Sequence, residues 1–354
     1  RKNPIYYYLA GLVDFHQNEF VKAQDELRKY IDIVTEDTRA LKLLAKVDLA
    51  LGEALSAKNY LIKARLLKPE DIEIWSLLGK AYFHSGDIVK GERYLSDVVE
   101  SNPNSSEALY DLANLQMSAG KPQRVIENLV NAQKIKNSVK IQYLLARAYQ
   151  SIKETQKALV LIKELIKEDN AFSYLYQQKG ILLGLLGQHT QAKAAFLKAV
   201  ELDDDNIESI VHLARIDRLE GEIHNARERL QTALETFSNS ELLLIELGDS
   251  YSKKTEIEQA KSFYLKAYSV NRSSSVAIEK VISVLIAQDK GDEAITQVEE
   301  FLGRNNRQAN IQLLAAKLFM QAKRYDDAVS AHQLAVKHSN NKALPLVSFA
   351  NSQL

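Results

Sequence analysis

The sequence predicts an all-α fold: a solenoid of about ten two-helix units followed by half of an eleventh. Three observations predict it. Leu, Ala, Lys and Glu dominate a 354-residue chain with only five prolines and 13 glycines, a helix-forming composition. Small residues return every 34 positions: Ala23, Ala57, Gly91 and Val125, then after one step of 33 Ala158, Ala192, Ala226, Ala260, Ala294 and Ala328. A second small site lies twelve residues earlier, at Gly11, Ala45, Gly79, Ala113, Ala146, Gly180, Ala214, Gly248, Ile282, Ala316 and Ala350. A period of this length marks stacked helical hairpins.

The units begin near residues 4, 38, 72, 106, 139, 173, 207, 241, 275 and 309, and the final half unit near 343. The one slip in phase is a single-residue deletion around "KIKNSVK". No linker interrupts the series, so residues 1–354 read as one continuous array. In each first helix, positions 4, 7, 8 and 11 are apolar or small, as at Trp75, Leu78, Gly79 and Tyr82. At about 100° per residue these share one face. A turn follows, with glycine at Gly52, Gly86, Gly120, Gly187 and Gly221, where a helix terminus favours a left-handed residue. The second helix sets a small residue, then a bulky one four later, as at Ala192 and Phe196 or Ala260 and Tyr264. Small sites let helices approach and bulky ones fill the gap. A single unit has too little core, and stacking supplies the rest. The ninth unit, with Ile282 at the small site, is expected to pack differently.

"WSLLGKAYFHSGDIVKGERYLSDVVESNPN" (75–104) holds the only tryptophan. Trp75, Leu78, Gly79, Tyr82 and Pro103 follow W-x2-L-G-x2-Y…P, with Gly91 and Leu95 in the second helix. The pattern resembles the tetratricopeptide repeat. The resemblance runs along essentially the whole chain, although later units replace the closing proline by Asn170, Asp204, Ser238, Arg272 or Asn306, residues that still suit a turn. It implies a right-handed superhelix with first helices lining a concave groove that holds peptides. Trp75 is expected to pack in the core between neighbouring helices, beside siblings such as Leu41, Leu109 and Ile210.

Charge is balanced, with 46 Lys plus Arg against 46 Asp plus Glu. No global field concentrates nucleic acid, so nucleic acid is not an expected partner. No apolar run reaches the roughly 18 residues of a membrane span. With no cysteine, disulfides, thiol nucleophiles and cysteine zinc sites are excluded. His16, His84, His189, His212, His224, His332 and His338 show no metal-ligand spacing. His332 reads as a filler of the repeat. No phosphate loop or nucleophile elbow is present. No catalytic residue, metal or cofactor is therefore expected. "DDDN" (203–206) reads as a solvated turn that helps cap the next helix.

Positions 2, 5, 9 and 12 of each first helix lie roughly 140° from the core face. Position 9 forms a ladder of Lys46, Lys80, Asn114, Arg147 and, after Ile181, Arg215. Lys42, Tyr110 and Tyr143 stand beside it. Such groups could clamp a carboxylate or bond the backbone of an extended segment, so a protein or peptide partner is expected here. The apolar face of the first unit (Tyr8, Leu12, Phe15) and the closing "LPLVSFANSQL" lack the polar caps of terminal repeats. The chain is thus expected to be a piece of a longer array, prone to end-to-end self-association. The leading expectation is a non-catalytic interaction scaffold. The alternative is the repeat region of a larger enzyme, such as a glycosyltransferase. The opening "NPIYYYLAGLVDFHQNEFVKAQDELRKYI" is also loosely similar to bacterial repeat lipoproteins of exopolysaccharide and PEP-CTERM systems. That similarity implies a periplasmic, outer-membrane-associated place and a role in export, with the cytoplasm as the alternative place.

Overall fold

Every first helix starts where the small-residue phase places it. In the computed structural model, which describes residues 3–168, 172–305 and 307–339, these helices are α1 (Pro4–His16), α3 (Thr38–Ala50), α5 (Ile72–His84), α7 (Ser106–Ser118), α9 (Val139–Ser151), α11 (Ser173–Leu185), α13 (Ile207–Leu219), α15 (Glu241–Ser250), α17 (Ser275–Ala287) and α19 (Ala309–Gln321). The second helices are α2 (Phe20–Ile31), α4 (Ala54–Leu67), α6 (Ile88–Ser101), α8 (Pro122–Ile135), α10 (Thr155–Lys167), α12 (His189–Leu202), α14 (Ile223–Thr236), α16 (Ile257–Val270), α18 (Gly291–Arg304) and α20 (Tyr325–His338). There is no strand among the described residues. The expected half unit from residue 343 and the expected sticky C-terminal end lie outside them. The sequence reads as one uninterrupted array, and its helices fall into two compact units. One comprises residues 1–171 and 181–187, the other residues 172–180 and 188–354.

Local chemistry starts and stops the helices. Asp37, Asp71, Ser105, Asn206, Ser240 and Ser274 each accept a backbone N–H in the first turn of a first helix, worth about 1 kcal/mol apiece. Asn206 is the last residue of "DDDN" and bonds the Ser209 N–H at 3.0 Å, so that run does cap its helix. At the turn after the first helix, nine repeats use one left-handed residue: Gly52, Gly86, Gly120, Gly187 and Gly221, and also Asn18, Lys153, Asp289 and Lys323. The next N–H then bonds back to position 11, as Glu53 to the Asp48 carbonyl at 2.7 Å.

The eighth repeat breaks this rule. Thr255 occupies the turn position, and a β-branched residue resists positive φ. Helix α15 ends after ten residues, and a short 3-10 turn, Lys254–Glu256, leads into α16. Arg227 from α14 closes the gap. Its Nη2 donates to the Ser250 carbonyl at 2.8 Å, its two Nη groups bond Glu256 at 2.9 and 2.7 Å, and its guanidinium lies 3.6 Å from the Tyr251 ring centre.

Packing inside a repeat is a volume trade between position 8 and the residue sixteen later. A methyl added to Gly79 would come 2.6 Å from Leu95, to Gly180 2.6 Å from Phe196 and to Gly248 2.5 Å from Tyr264. In the ninth repeat the trade reverses. Ile282 and Val298 are both fully buried, so a large residue at the small site is matched by a smaller one sixteen residues later and the space remains filled. In the tenth, Ala316 faces His332, which is buried with Nδ1 2.9 Å from the Ala328 carbonyl oxygen, the filler role expected of it.

Trp75 departs from expectation. Its siblings Leu41, Leu109, Ile210 and Leu244 are buried, but Trp75 is only half-buried and donates Nε1 to the Pro69 carbonyl at 2.7 Å. The indole is too large for the space that a leucine fills, and its N–H needs an acceptor.

Candidate functional site

Within the first unit, α1, α3, α5, α7 and α9 approach one another in succession, and in the second unit α13 approaches α15 and α17 approaches α19. The first-helix side is therefore the inner edge of each unit. This edge is where the sequence places its candidate ligands. Lys42, Lys46, Lys80, Tyr110 and Tyr143 are half-buried there, while Asn114, Arg147 and Arg215 are exposed.

The geometry gives most of these cations internal partners. Lys42 pairs with Asp71 at 3.0 Å and also with Glu73, and Lys46 reaches the other Glu73 oxygen at 2.6 Å. Lys80 pairs with Asp111 at 2.7 Å. In the second unit, Arg215 and Arg218 both hold Glu246, which is 4% exposed. Three of these contacts obey one register. Position 9 meets position 6 of the next repeat, thirty-one residues on, in Lys80–Asp111, Arg215–Glu246 and, with signs exchanged, Asp249–Lys280. The expected basic ladder is therefore largely a series of staples between repeats. Reading one stripe at a time hides the acids on the adjacent stripe.

Protonation follows from these contacts. Burial pushes the Glu73 carboxyl up, but hydrogen bonds from Lys42 and Lys46 outweigh it and hold it below the usual range. Burial dominates at Asp111, whose carboxyl is raised despite Lys80. Burial likewise raises the Tyr110 phenol. Lys46 and Lys80 do share a cleft of about 440 Å³, but Glu73, Glu107 and Asp111 line it too. That cleft has an acidic balance.

Arg147 differs. The matching register position is Gln178, so no acid is encoded opposite. Arg147 is exposed and lines a separate cleft of about 610 Å³ with Met117, Gln150, Ser151, Lys153, Thr155 and Leu185. Near it, Lys140 sits 4.6 Å from the Tyr110 ring centre, and Asn114 is exposed on the neighbouring helix. Among the eight sequence candidates, Asn114 and Arg147 are exposed in this part of the stripe, with Tyr110 and Tyr143 half-buried beside them.

Sequence reasoning also missed a set of buried polar hubs at position 11, the signature aromatic site. Asp48 takes a hydrogen bond from Gln24 at 2.7 Å. Gln116 accepts from Asn128 at 2.8 Å. Asp217 holds Lys193 at 2.9 Å and Arg229 at 3.1 Å. Their signal is a polar residue where the period demands Tyr. Asp217, Glu220 and Glu222 converge closely enough to suggest a cation site. The Lys193 ammonium already occupies that centre, 2.5 Å from Glu220 and 3.8 Å from Glu222, and its pKa is raised by these carboxylates.

Comparison with known proteins agrees with the architecture. Tetratricopeptide-repeat family models match residues 173–206 and 243–274, and 282–343. The model of subunit 3 of the anaphase-promoting complex, or cyclosome, matches residues 88–165. Anaphase-promoting complex subunit 3 of Schizosaccharomyces pombe is 25% identical over 331 residues, covering 92% of this chain and 44% of the relative. A TPR repeat-containing protein of Methanocaldococcus jannaschii is 24% identical over 254 residues, covering 66% of this chain and 44% of the relative. The chain therefore spans a little under half the length of these curated relatives. The crystal structure of yeast Tom70 superposes with a TM-score of 0.66 at 14% identity, over 100% of this chain and 88% of that one, a likeness of fold. No helix among the described residues is long and apolar enough to cross a membrane. With the repeat period, the paired helices and the family matches in agreement, the chain is a tetratricopeptide-repeat protein.

Proposed function

We propose that the chain is a protein-interaction scaffold without a reaction of its own, working as part of a multi-subunit assembly. It holds an extended partner segment on the first-helix edge of its first unit. One observation carries the reading: similarity to a protein named as a subunit of a complex runs along 92% of the chain. The relatives described above are not polysaccharide-export proteins or lipoproteins by name, so nothing beyond the opening segment favours the export setting.

On that edge, Arg147 is an exposed cation with Gln178 rather than an acid in the matching register, and Asn114 is exposed on the neighbouring helix. The test is affinity capture followed by crosslink mapping of the bound segment. Crosslinks on α7 and α9, and at least about a tenfold loss of binding in Arg147→Glu, are expected. Crosslinks elsewhere, with unchanged binding by that variant, would overturn the reading. Lys80→Glu is a poor probe because it places two acids together at Asp111.

A further inference from the structure

The strongest unassigned feature is a cleft of about 560 Å³ around Trp75, lined by Arg65, Pro69, Tyr82, Lys90, Arg93, Tyr94 and Asp97. These residues belong to α4, α5, α6 and the turn between repeats two and three. They lie away from the stripe described above, at positions 4 and 11 of α5 and on the two second helices beside it. Tyr82 and Tyr94 stack with ring centres 5.6 Å apart and planes 9° from parallel. Lys58 and Lys90 lie 5.5 and 5.4 Å from the Tyr82 ring centre, and the Arg65 guanidinium lies 5.8 Å from that of Tyr94. Arg65 also donates a hydrogen bond to the Tyr94 hydroxyl.

What separates this cleft from the first-helix edge is how its cations are balanced. There, lysines and arginines meet carboxylates of the next repeat. Here Lys58, Lys90 and Arg65 face aromatic rings, which attract a cation without neutralising it. Lys90 alone pairs with an acid, Asp87 at 3.1 Å. Lys58, Arg65 and Arg93 have no carboxylate within ion-pair distance among the described residues. Three basic residues, Arg65, Lys90 and Arg93, thus line the cleft with one acid, Asp97, in a chain whose net charge is zero. The wall is aromatic, and its Trp75 ring is withheld from the core.

We propose that this cleft is a second binding site, which takes an acidic peptide segment carrying an aromatic side chain. The aromatic side chain packs against Trp75 and Tyr82. Flanking carboxylates pair with Arg65 and Arg93, whose guanidinium groups suit two-point contact with a carboxylate. Charge complementarity selects this occupant over a basic or neutral segment.

Because Trp75 is the only tryptophan, its emission reports on this cleft alone. The probe is a capped Asp-Glu-Phe-Asp-Glu peptide titrated into the whole chain, against a capped Lys-Lys-Phe-Lys-Lys peptide and a capped Ser-Ser-Phe-Ser-Ser peptide. A saturable emission change with the acidic peptide is expected, weakened at least about tenfold in Arg93→Glu and unaffected in Arg147→Glu. Arg93 is exposed, so its replacement should leave the far-ultraviolet circular dichroism of the fold intact. Arg65→Gln, which keeps a donor for Tyr94, serves as the second variant and should also weaken binding. No saturable change up to about 1 mM acidic peptide, equal binding of all three peptides, or undiminished binding by both variants would overturn the proposal. Loss of binding at Arg147 with retention here, or the reverse, separates this site from the scaffold edge.

Discussion

Gly248 and Gly184 are the same residue type with opposite meanings. A methyl on Gly248 would come 2.5 Å from the Tyr264 ring, whereas a methyl on Gly184 would meet nothing within 4 Å. Gly248→Ala should therefore destabilise the protein by about 1–3 kcal/mol, through overpacking. Gly184→Ala should stabilise it by up to about 1 kcal/mol, through helix propensity. Urea unfolding of the two variants checks both signs. Asp111 gives a prediction in pH. Its folded carboxyl is raised above the ordinary value by burial, so the folded state binds the extra proton in the window just above that ordinary value. Its contribution to stability therefore grows as pH falls through the window and is lost as pH rises. On acidification from neutral pH, Asp111→Asn should lose stability relative to wild type, read as a shift in urea midpoint. Parallel curves for the two proteins would count against a raised Asp111.

At the scale of elements, the eighth repeat shows how one residue reshapes a turn. Thr255 cannot take the left-handed conformation cheaply, so α15 stops three residues before its siblings do. The freed helix end exposes a carbonyl that Arg227 satisfies. Arg227→Ala should cost on the order of 2 kcal/mol, the worth of a charged hydrogen bond plus its ion pair. Hydrogen exchange should show the loss concentrated between α15 and α16. Uniform loss across the chain would argue that Arg227 has no local role at that turn.

At the scale of the whole molecule, the repeats within each compact unit pack mainly on their sequence neighbours, so cooperativity is local. Unfolding followed by Trp75 emission reports the third repeat, while far-ultraviolet circular dichroism averages all helices. The two transitions should not coincide, as expected when a repeat array departs from two-state behaviour. Coincident transitions at every urea concentration would show that the repeats unfold as one cooperative block.

The legible part of this protein was its period. Small residues every 34 positions placed all ten first helices, because helix spacing depends on volume at two sites per repeat, and volume is written directly in residue type. The Gly turns were legible for the same reason, since only a residue free of Cβ crowding marks itself. Asn18, Lys153, Asp289 and Lys323 hold the same conformation unannounced, because the surrounding helix pair imposes it. The candidate stripe was legible as positions but not as charge. Whether Lys80 is free or paired depends on Asp111, which lies thirty-one residues away on another stripe and meets it only when the repeats stack. Trp75 belongs to the same class. Its signature place predicted a core residue, and only the tertiary packing decided that the ring is too large and turns to the Pro69 carbonyl and an open cleft. Sequence by itself determined where the helices run, because periodic volume is local information. Tertiary structure decided which side chains remain available to a partner, because availability is set by contacts between repeats.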